Sequence, residues 1–186
     1  MDHRAVMART ALFTELDGVL IAPGATATMS IALLPGVGAA LARLHQRGVP
    51  VVVVTDQPRI ARGELSEATV AAWRGQLTGL VRAAGGDLAG WYHCPHDTSH
   101  VWRKPRPGML LTAARELTLD LPSSWLIGTR ADDARAAGQA GCAGAVLIGD
   151  AALPDDDLGI VVASARDLAD APRVMIPRQG GCWHQV

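Results

Sequence analysis

Residues 11–20 read A-L-F-T-E-L-D-G-V-L, an apolar run that ends in an Asp-Gly pair. The run over residues 11–16 predicts a buried β-strand, and Asp17-Gly18 predicts the turn that follows it. Glu15 and Asp17 lie two positions apart, so both carboxylates project from the same edge of the sheet. Such a pair suits a shared metal ion, or separate nucleophile and acid roles, but two solvated acids in a loop are an equally good interpretation.

Apolar runs separated by Gly and Pro divide the rest of the chain into alternating strands and helices. Further strands are predicted over residues 49–55, 88–93, 125–128, 143–148 and 160–162. Helices are predicted over residues 36–47, about 66–85, 107–117, 132–140 and 165–169, with loops over 19–34 and 94–106. This alternation predicts an α/β fold, a parallel sheet with helices on both faces, in one domain over residues 1–186.

Ligands bind such sheets at the carboxyl ends of the strands. Four polar or reactive side chains follow predicted strands: Asp17, Thr55, Cys94 and Thr129. We therefore expect a functional site where these strand ends meet.

Composition narrows the possible partners. The net charge is −1 and charged residues make up 19% of the chain, so no basic surface for nucleic acid or an anionic membrane is expected. The N-terminus has no apolar signal segment, and no apolar run approaches the roughly 20 residues that span a bilayer. Three cysteines do not form a disulfide framework and suit a reducing cytoplasm.

Several motifs occur in the order found in one family. They are F-T-E-L-D-G at 13–18, L-P-G-V at 34–37, V-V-V-V-T-D-Q-P-R-I-A-R-G at 51–63, C-P-H at 94–96 and R-K-P-R-P-G-M-L at 103–110. With them the chain resembles the haloacid-dehalogenase-type (HAD) phosphatases, in particular the D-glycero-D-manno-heptose-1,7-bisphosphate phosphatases and their histidinol-phosphate phosphatase relatives. The resemblance implies a HAD-like sheet without a large cap domain and a small phosphorylated metabolite as the partner.

The resemblance also implies roles for individual residues in Mg²⁺-dependent phosphoryl transfer. Glu15 occupies the position of the nucleophile, and Asp17 that of the acid/base. Thr55 and Lys104 match the residues that hold the phosphoryl oxygens. Arg103, beside Lys104, is a further substrate contact, and the implied Mg²⁺ ligands are Glu15, Asp17 and Asp133. Asp56 and Arg130 are candidate substrate contacts where the chain departs from the family pattern, and Arg130 would partly substitute for the ion.

Three departures from the family pattern affect the chemistry. Glu15 replaces an aspartate, and its extra methylene moves the carboxylate oxygens by roughly 1.5 Å. Thr129 replaces an acid that normally binds Mg²⁺, which weakens the metal site. Asp56 replaces an asparagine and would repel phosphate unless it is paired, for example with Arg59 or Arg62. We expect a slow phosphatase. The alternative is an inactive pseudophosphatase that binds a phosphorylated ligand or a protein partner.

A second metal site is implied by the loop over residues 94–106. Relatives with this motif hold a structural zinc through C-x-H and C-x-C. Here Cys94, His96 and His100 are candidate ligands, with His93 or Asp97 as a fourth, while Trp102 occupies one expected cysteine position. Bound zinc and a loop that has lost its zinc and packs on Trp102 are both open.

Overall fold

The computed structural model describes residues 8–25, 31–97, 100–173 and 175. Its regular elements alternate along the chain, as the sequence predicts. The strands are β1 (Leu12–Thr14), β2 (Val51–Asp56), β3 (Gly90–Cys94), β4 (Trp125–Gly128), β5 (Gly144–Ile148) and β6 (Val161–Ala165). The helices are α1 (Val37–Gln46), α2 (Glu67–Ala83), α3 (Gly108–Leu117) and α4 (Ala131–Ala140).

All neighbouring strands pair in parallel, and the sheet order is β3-β2-β1-β4-β5-β6. β1 lies in the middle, between β2 and β4, with Phe13 opposite both Val52 and Leu126. The strand order therefore reverses at β1, and the crevice at such a reversal is where α/β sheets bind ligands. The predicted α/β class and parallel sheet are confirmed.

Two apolar cores lie on the two faces of the sheet. Successive strand side chains point to opposite faces, so Leu12 joins one core and Phe13 the other. α1 and α2 cover the first face with side chains such as Leu41 and Leu77. α3 and α4 cover the second with side chains such as Met109. This arrangement explains why β2 is a continuous β-branched run, because both of its faces are buried.

The prediction of a helix over residues 165–169 was wrong. β6 continues to Ala165, which pairs with Ile148, and a turn follows before a short 3-10 helix over Ala171–Arg173. Pairing with β5 overrides the helix preference at Ala165, and residues 166–170 form bends and turns.

The segment after β1 is more ordered than a plain loop. Ile21 forms isolated bridges with both Asp17 and Leu33, while residues 26–30 lie outside the described part. Within the described residues, no helix is long and apolar enough to cross a membrane.

Candidate active site

The carboxyl ends of three adjacent strands bring the predicted site residues together. β1 leads into Glu15 and Asp17, β2 ends with Thr55 and Asp56, and β4 leads into Thr129. Because β1 lies between the other two strands, its carboxylates occupy the centre of this edge.

Lys104 is the central cation of the site and the only lysine in the chain. Its side chain is fully buried, although it comes from the loop before α3. The ammonium donates to Oε2 of Glu15, to Oδ1 of Asp133 at 2.6 Å and to the Val54 carbonyl at 3.3 Å. A lysine ammonium has three donors, so these contacts satisfy it.

The charges around Lys104 hold it in the protonated form. Burial alone would lower the pKa of Lys104, but Glu15, Asp133 and Asp56 raise it well above its usual value. Lys104 and its two bonded carboxylates together carry a net charge of −1 when all three are ionised. The cluster is therefore a buried, fully hydrogen-bonded ion group with an excess negative charge.

Asp133 is fixed by α4 as well as by Lys104. Its Oδ2 accepts from the backbone N–H groups of Thr129 at 2.9 Å and Arg130 at 3.0 Å. Burial alone would raise the pKa of Asp133, but Lys104 and these hydrogen bonds lower it below its usual value. Gly128 makes this approach possible, because a Cβ there would lie 2.4 Å from the Asp133 side chain.

Glu15 is buried and engaged on both oxygens. Oε1 accepts from the backbone N–H of Leu16 at 2.8 Å, and Oε2 accepts from Lys104. Burial raises the pKa of Glu15, and hydrogen bonds from Lys104 and Thr55 oppose that rise. The carboxylate is thus held in place by donors.

Asp17 differs from Glu15 because one of its oxygens is unsatisfied. Oδ1 is buried and has no hydrogen-bond partner within residues 8–25, 31–97 and 100–173. Burial raises the pKa of Asp17, and the Gly24 backbone, Arg59, Arg130 and Gln57 oppose that rise. A buried carboxylate oxygen without a donor is costly, so this position suits a proton or a cation.

Asp56 pairs with Arg130 across the carboxyl edge of the sheet, at 3.6 Å. Asp56 also accepts from the Lys104 backbone N–H at 3.4 Å. The expected pairing with Arg59 or Arg62 was wrong, because both of those arginines pair with Glu64.

Gln57 is the buried site residue that the sequence analysis missed. Its side chain is only 4% exposed and donates to Oγ1 of Thr55 at 3.1 Å. The sequence signal for Gln57 was its position two residues after Thr55, just past a predicted strand. Its burial is unusual for a glutamine and could be seen only in the structure.

Known proteins of one family share much of this sequence. The family described as HAD-hydrolase-like matches residues 101–159. A D-glycero-β-D-manno-heptose-1,7-bisphosphate 7-phosphatase of Vibrio cholerae is 32% identical over 153 residues, 76% of this chain and 82% of the relative. One of Mesorhizobium japonicum is 33% identical over 174 residues, 86% of this chain and 78% of the relative. The chain belongs to the HAD-like heptose-bisphosphate phosphatase family.

A solved structure supports the same assignment. The D,D-heptose 1,7-bisphosphate phosphatase from B. bronchiseptica, complexed with magnesium and phosphate, superimposes with a TM-score of 0.75 at 30% identity. The match covers 87% of this chain and 95% of that one. The fold of this HAD-like chain is therefore that of the family.

The loop of residues 94–106 in this HAD-like chain, called the Cys94 loop below, does not gather a zinc site in its described part. Among residues 94–97 and 100–106 and the rest of the described chain, no three His, Cys, Asp or Glu side chains converge around one point. Cys94 is buried, and His93 is paired with Glu67 at 2.8 Å. His96 and His100 have ring centroids 4.0 Å apart. The zinc ligands stay a prediction.

Other contacts hold the Cys94 loop. Arg103 donates to the His96 carbonyl at 3.0 Å, and Trp102 meets Tyr92 edge-on with centroids 6.3 Å apart. Arg103 thus braces the loop, and its predicted role as a substrate contact stays a prediction.

Proposed function

We propose that the chain hydrolyses the phosphomonoester of a small sugar or polyol phosphate with Mg²⁺, and that it does so slowly. The observation that carries the proposal is Oδ1 of Asp17, which is buried and has no hydrogen-bond partner among the described residues, two positions after Glu15 of the Lys104 cluster. A structural ion cluster needs no such oxygen, whereas an acid/base does.

The residues have the chemistry for a two-step transfer. A Glu15 oxygen forms a bond to phosphorus as the bond to the sugar oxygen breaks, and Asp17 gives its proton to that leaving oxygen. Asp17 then accepts a proton from water, whose oxygen attacks the phosphorus and releases Glu15. The Thr55 hydroxyl holds a phosphoryl oxygen during both steps, and Lys104 would hold another with the N–H that it gives to Glu15 in the free chain. Arg130 and Arg103 would bind the rest of the substrate, beside Asp56.

The donor set fits Mg²⁺ in part. Hard carboxylate oxygens are the ligands Mg²⁺ prefers, and Oδ1 of Asp17 accepts no hydrogen bond from the part of the chain that the structure describes. Glu15 uses one acceptor position on each oxygen and keeps others free. Asp133 is already bound by Lys104 and two N–H groups, so it supports the site more through Lys104 than as a ligand. Bound Mg²⁺ would supply charge neutralisation between carboxylate and phosphate.

Slow turnover is expected from the two replacements. Each Glu15 oxygen accepts a hydrogen bond, from the Leu16 N–H or from Lys104, and that donor weakens the oxygen as a nucleophile. A misplacement of about 1 Å costs about a hundredfold in a positioned reaction. Thr129 contributes no negative charge for the cation, and its methyl group packs near Gly18.

The test is phosphate release from a panel of sugar phosphates, including heptose bisphosphate and histidinol phosphate, with and without Mg²⁺. Asp17→Asn removes the acid/base. Asp87→Asn, at an exposed Arg82–Asp87 pair, is the matched control. Mg²⁺-dependent release that Asp17→Asn abolishes and Asp87→Asn keeps is the expected result. Phosphate binding without release of phosphate from any substrate would mean a binding protein instead.

A further inference from the structure

Gln57 is held in a fixed position by its own backbone. Its N–H donates to the Cys94 carbonyl at 2.7 Å, and its carbonyl accepts from the N–H of Ile60 at 3.0 Å. The first of these bonds ties the end of β2 to the end of β3. The Gln57 side chain therefore extends from a backbone whose N–H and carbonyl are both hydrogen-bonded.

The Gln57 amide fixes the direction in which the Thr55 hydroxyl can donate. Nε2 of Gln57 donates to Oγ1 of Thr55 at 3.1 Å, and Thr55 is 1% exposed. With that donor on its oxygen, the hydroxyl must direct its own hydrogen elsewhere, towards the Glu15 carboxyl, on whose pKa Thr55 acts. Glu15 lies where the phosphoryl group would react, so the hydroxyl is oriented towards that point.

Gln57 also connects the two functional carboxylates. An amide NH₂ has two hydrogens, and the group that bonds Thr55 also lies against the Asp17 carboxyl, whose pKa it helps to hold down. Gln57 and Thr55 thus lie between Asp17 and Glu15, and each acts on the pKa of the nearer carboxyl. A side chain that served packing alone would need neither contact.

We propose that Gln57 is a positioning residue that fixes the Thr55 hydroxyl as a hydrogen-bond donor to the phosphoryl group. The inference rests on the proposed function, because it takes Thr55 as a phosphate contact. It assigns Gln57 an effect on phosphate binding that passes through Thr55, and that restriction makes it testable apart from turnover.

The experiment is a double-mutant cycle read out by binding of inorganic phosphate in the presence of Mg²⁺, measured by calorimetry. Gln57→Met keeps the length and burial of the side chain without its hydrogen bonds, and Thr55→Val removes the hydroxyl. We expect Gln57→Met to weaken binding about three- to tenfold, the value of one oriented hydrogen bond. It should have no effect in the Thr55→Val background, because coupled residues are not additive.

Two further variants separate positioning from packing. Thr55→Ser keeps the hydroxyl, so Gln57→Met should weaken phosphate binding in that background as in the parent. Gln76→Met, at an exposed position on α2, should leave binding unchanged. Thermal unfolding of each variant verifies that the compared proteins are folded at the temperature of the titration.

The inference is overturned if Gln57→Met weakens binding equally with and without the Thr55 hydroxyl, or leaves it unchanged in the parent. Absence of phosphate binding by the unaltered chain would also overturn it, together with the assignment of Thr55 and Lys104 as phosphate contacts. Coupling of Gln57 and Thr55 in a chain that releases no phosphate from any substrate would uphold the inference while rejecting only the hydrolytic function.

Discussion

The Glu15–Lys104–Asp133 cluster and the Cys94 loop have both lost residues that the family resemblance implies, but they differ in what remains. In the cluster, every charged group has a charged partner within hydrogen-bonding distance. Among the described residues no three candidate zinc ligands converge: His93 is paired with Glu67, and the His96 and His100 rings lie 4.0 Å apart. The cluster keeps its connected arrangement despite the change at Glu15, whereas the loop does not gather its ligands.

Burial explains the difference. Removing one member of a buried ion group leaves an uncompensated charge, so the remaining members stay constrained. His96 is exposed, and an exposed polar side chain that loses a metal is simply solvated. Loss of a ligand at an exposed position of the loop therefore leaves no buried charge, whereas loss of a charge in the cluster does.

The largest effect is expected from breaking the cluster at its centre. Lys104→Met should lower the free energy of unfolding by about 3–5 kcal/mol, because Glu15 and Asp133 lose their counterion. Urea denaturation at neutral pH measures this loss. Arg106→Met, at an exposed position in the same loop, should change it by less than about 0.5 kcal/mol. Similar losses in both variants would contradict the buried-cluster account.

A smaller effect is expected at Gly128, where the backbone lies close to the Asp133 side chain. Gly128→Ala places a Cβ 2.4 Å from the Asp133 side chain and should cost about 1–3 kcal/mol. Gly79→Ala, in α2 with nothing within 4 Å of the new Cβ, should instead stabilise by about 0.4–1 kcal/mol. Thermal unfolding of the pair decides the matter, since effects of the same sign would refute the claimed close approach at Gly128.

A smaller, pH-dependent effect is expected at Asp17. Burial raises the pKa of Asp17 above its value in the unfolded chain, which is near 3.8. The unfolded chain therefore ionises first as pH rises, and Asp17 costs stability above that pH. Asp17→Asn should be more stable than the parent at pH 7, and the difference should shrink towards pH 4.

The matched control is Asp87→Asn, for which the expected change in stability has the opposite sign. The Arg82 guanidinium lowers the pKa of Asp87, so Asp87→Asn should be slightly less stable than the parent at pH 7. Urea titrations of both variants from pH 4 to pH 7 test the contrast. A loss of stability in Asp17→Asn at pH 7 would show that the carboxylate is satisfied in the fold.

The smallest effect is expected from metal removal at the Cys94 loop. We predict substoichiometric zinc in the purified chain and no change in melting temperature on adding a strong chelator. His100→Cys with Trp102→Cys would complete a four-ligand set with Cys94 and His96, and should make stability sensitive to the chelator. Elemental analysis of both proteins is the measurement. One zinc per unaltered chain would show that the loop forms its site on binding.

The sheet could be predicted from the sequence because its signals are local. β2 is a β-branched run with turn residues at both ends, and Asp17 directly follows β1. The alternation of strands and helices then predicts that such residues share one edge. The prediction of a helix over residues 165–169 failed for the same reason, since a local preference carries no information about the pairing of Ala165 with β5.

The connections within the site could not be predicted in this way. Nothing near Lys104 in sequence indicates that its ammonium lies between Glu15 and Asp133, which are 89 and 29 residues away. The Asp56–Arg130 ion pair likewise joins the end of β2 to the segment after β4, and β1 lies between these two strands. These contacts depend on how the loops return over the sheet, so a family resemblance could supply residue roles but not their partners.

The measurement that most directly tests the account is Mg²⁺-dependent phosphate release by the variant Glu15→Asp, Thr129→Asp beside the unaltered chain. The two changes restore the shorter nucleophile and the missing acid, on a scaffold that holds Lys104, Thr55 and Asp17. The account predicts that turnover rises by at least about tenfold. Equal or lower turnover in the variant, with its fold intact, would contradict the claim that these two positions limit the reaction.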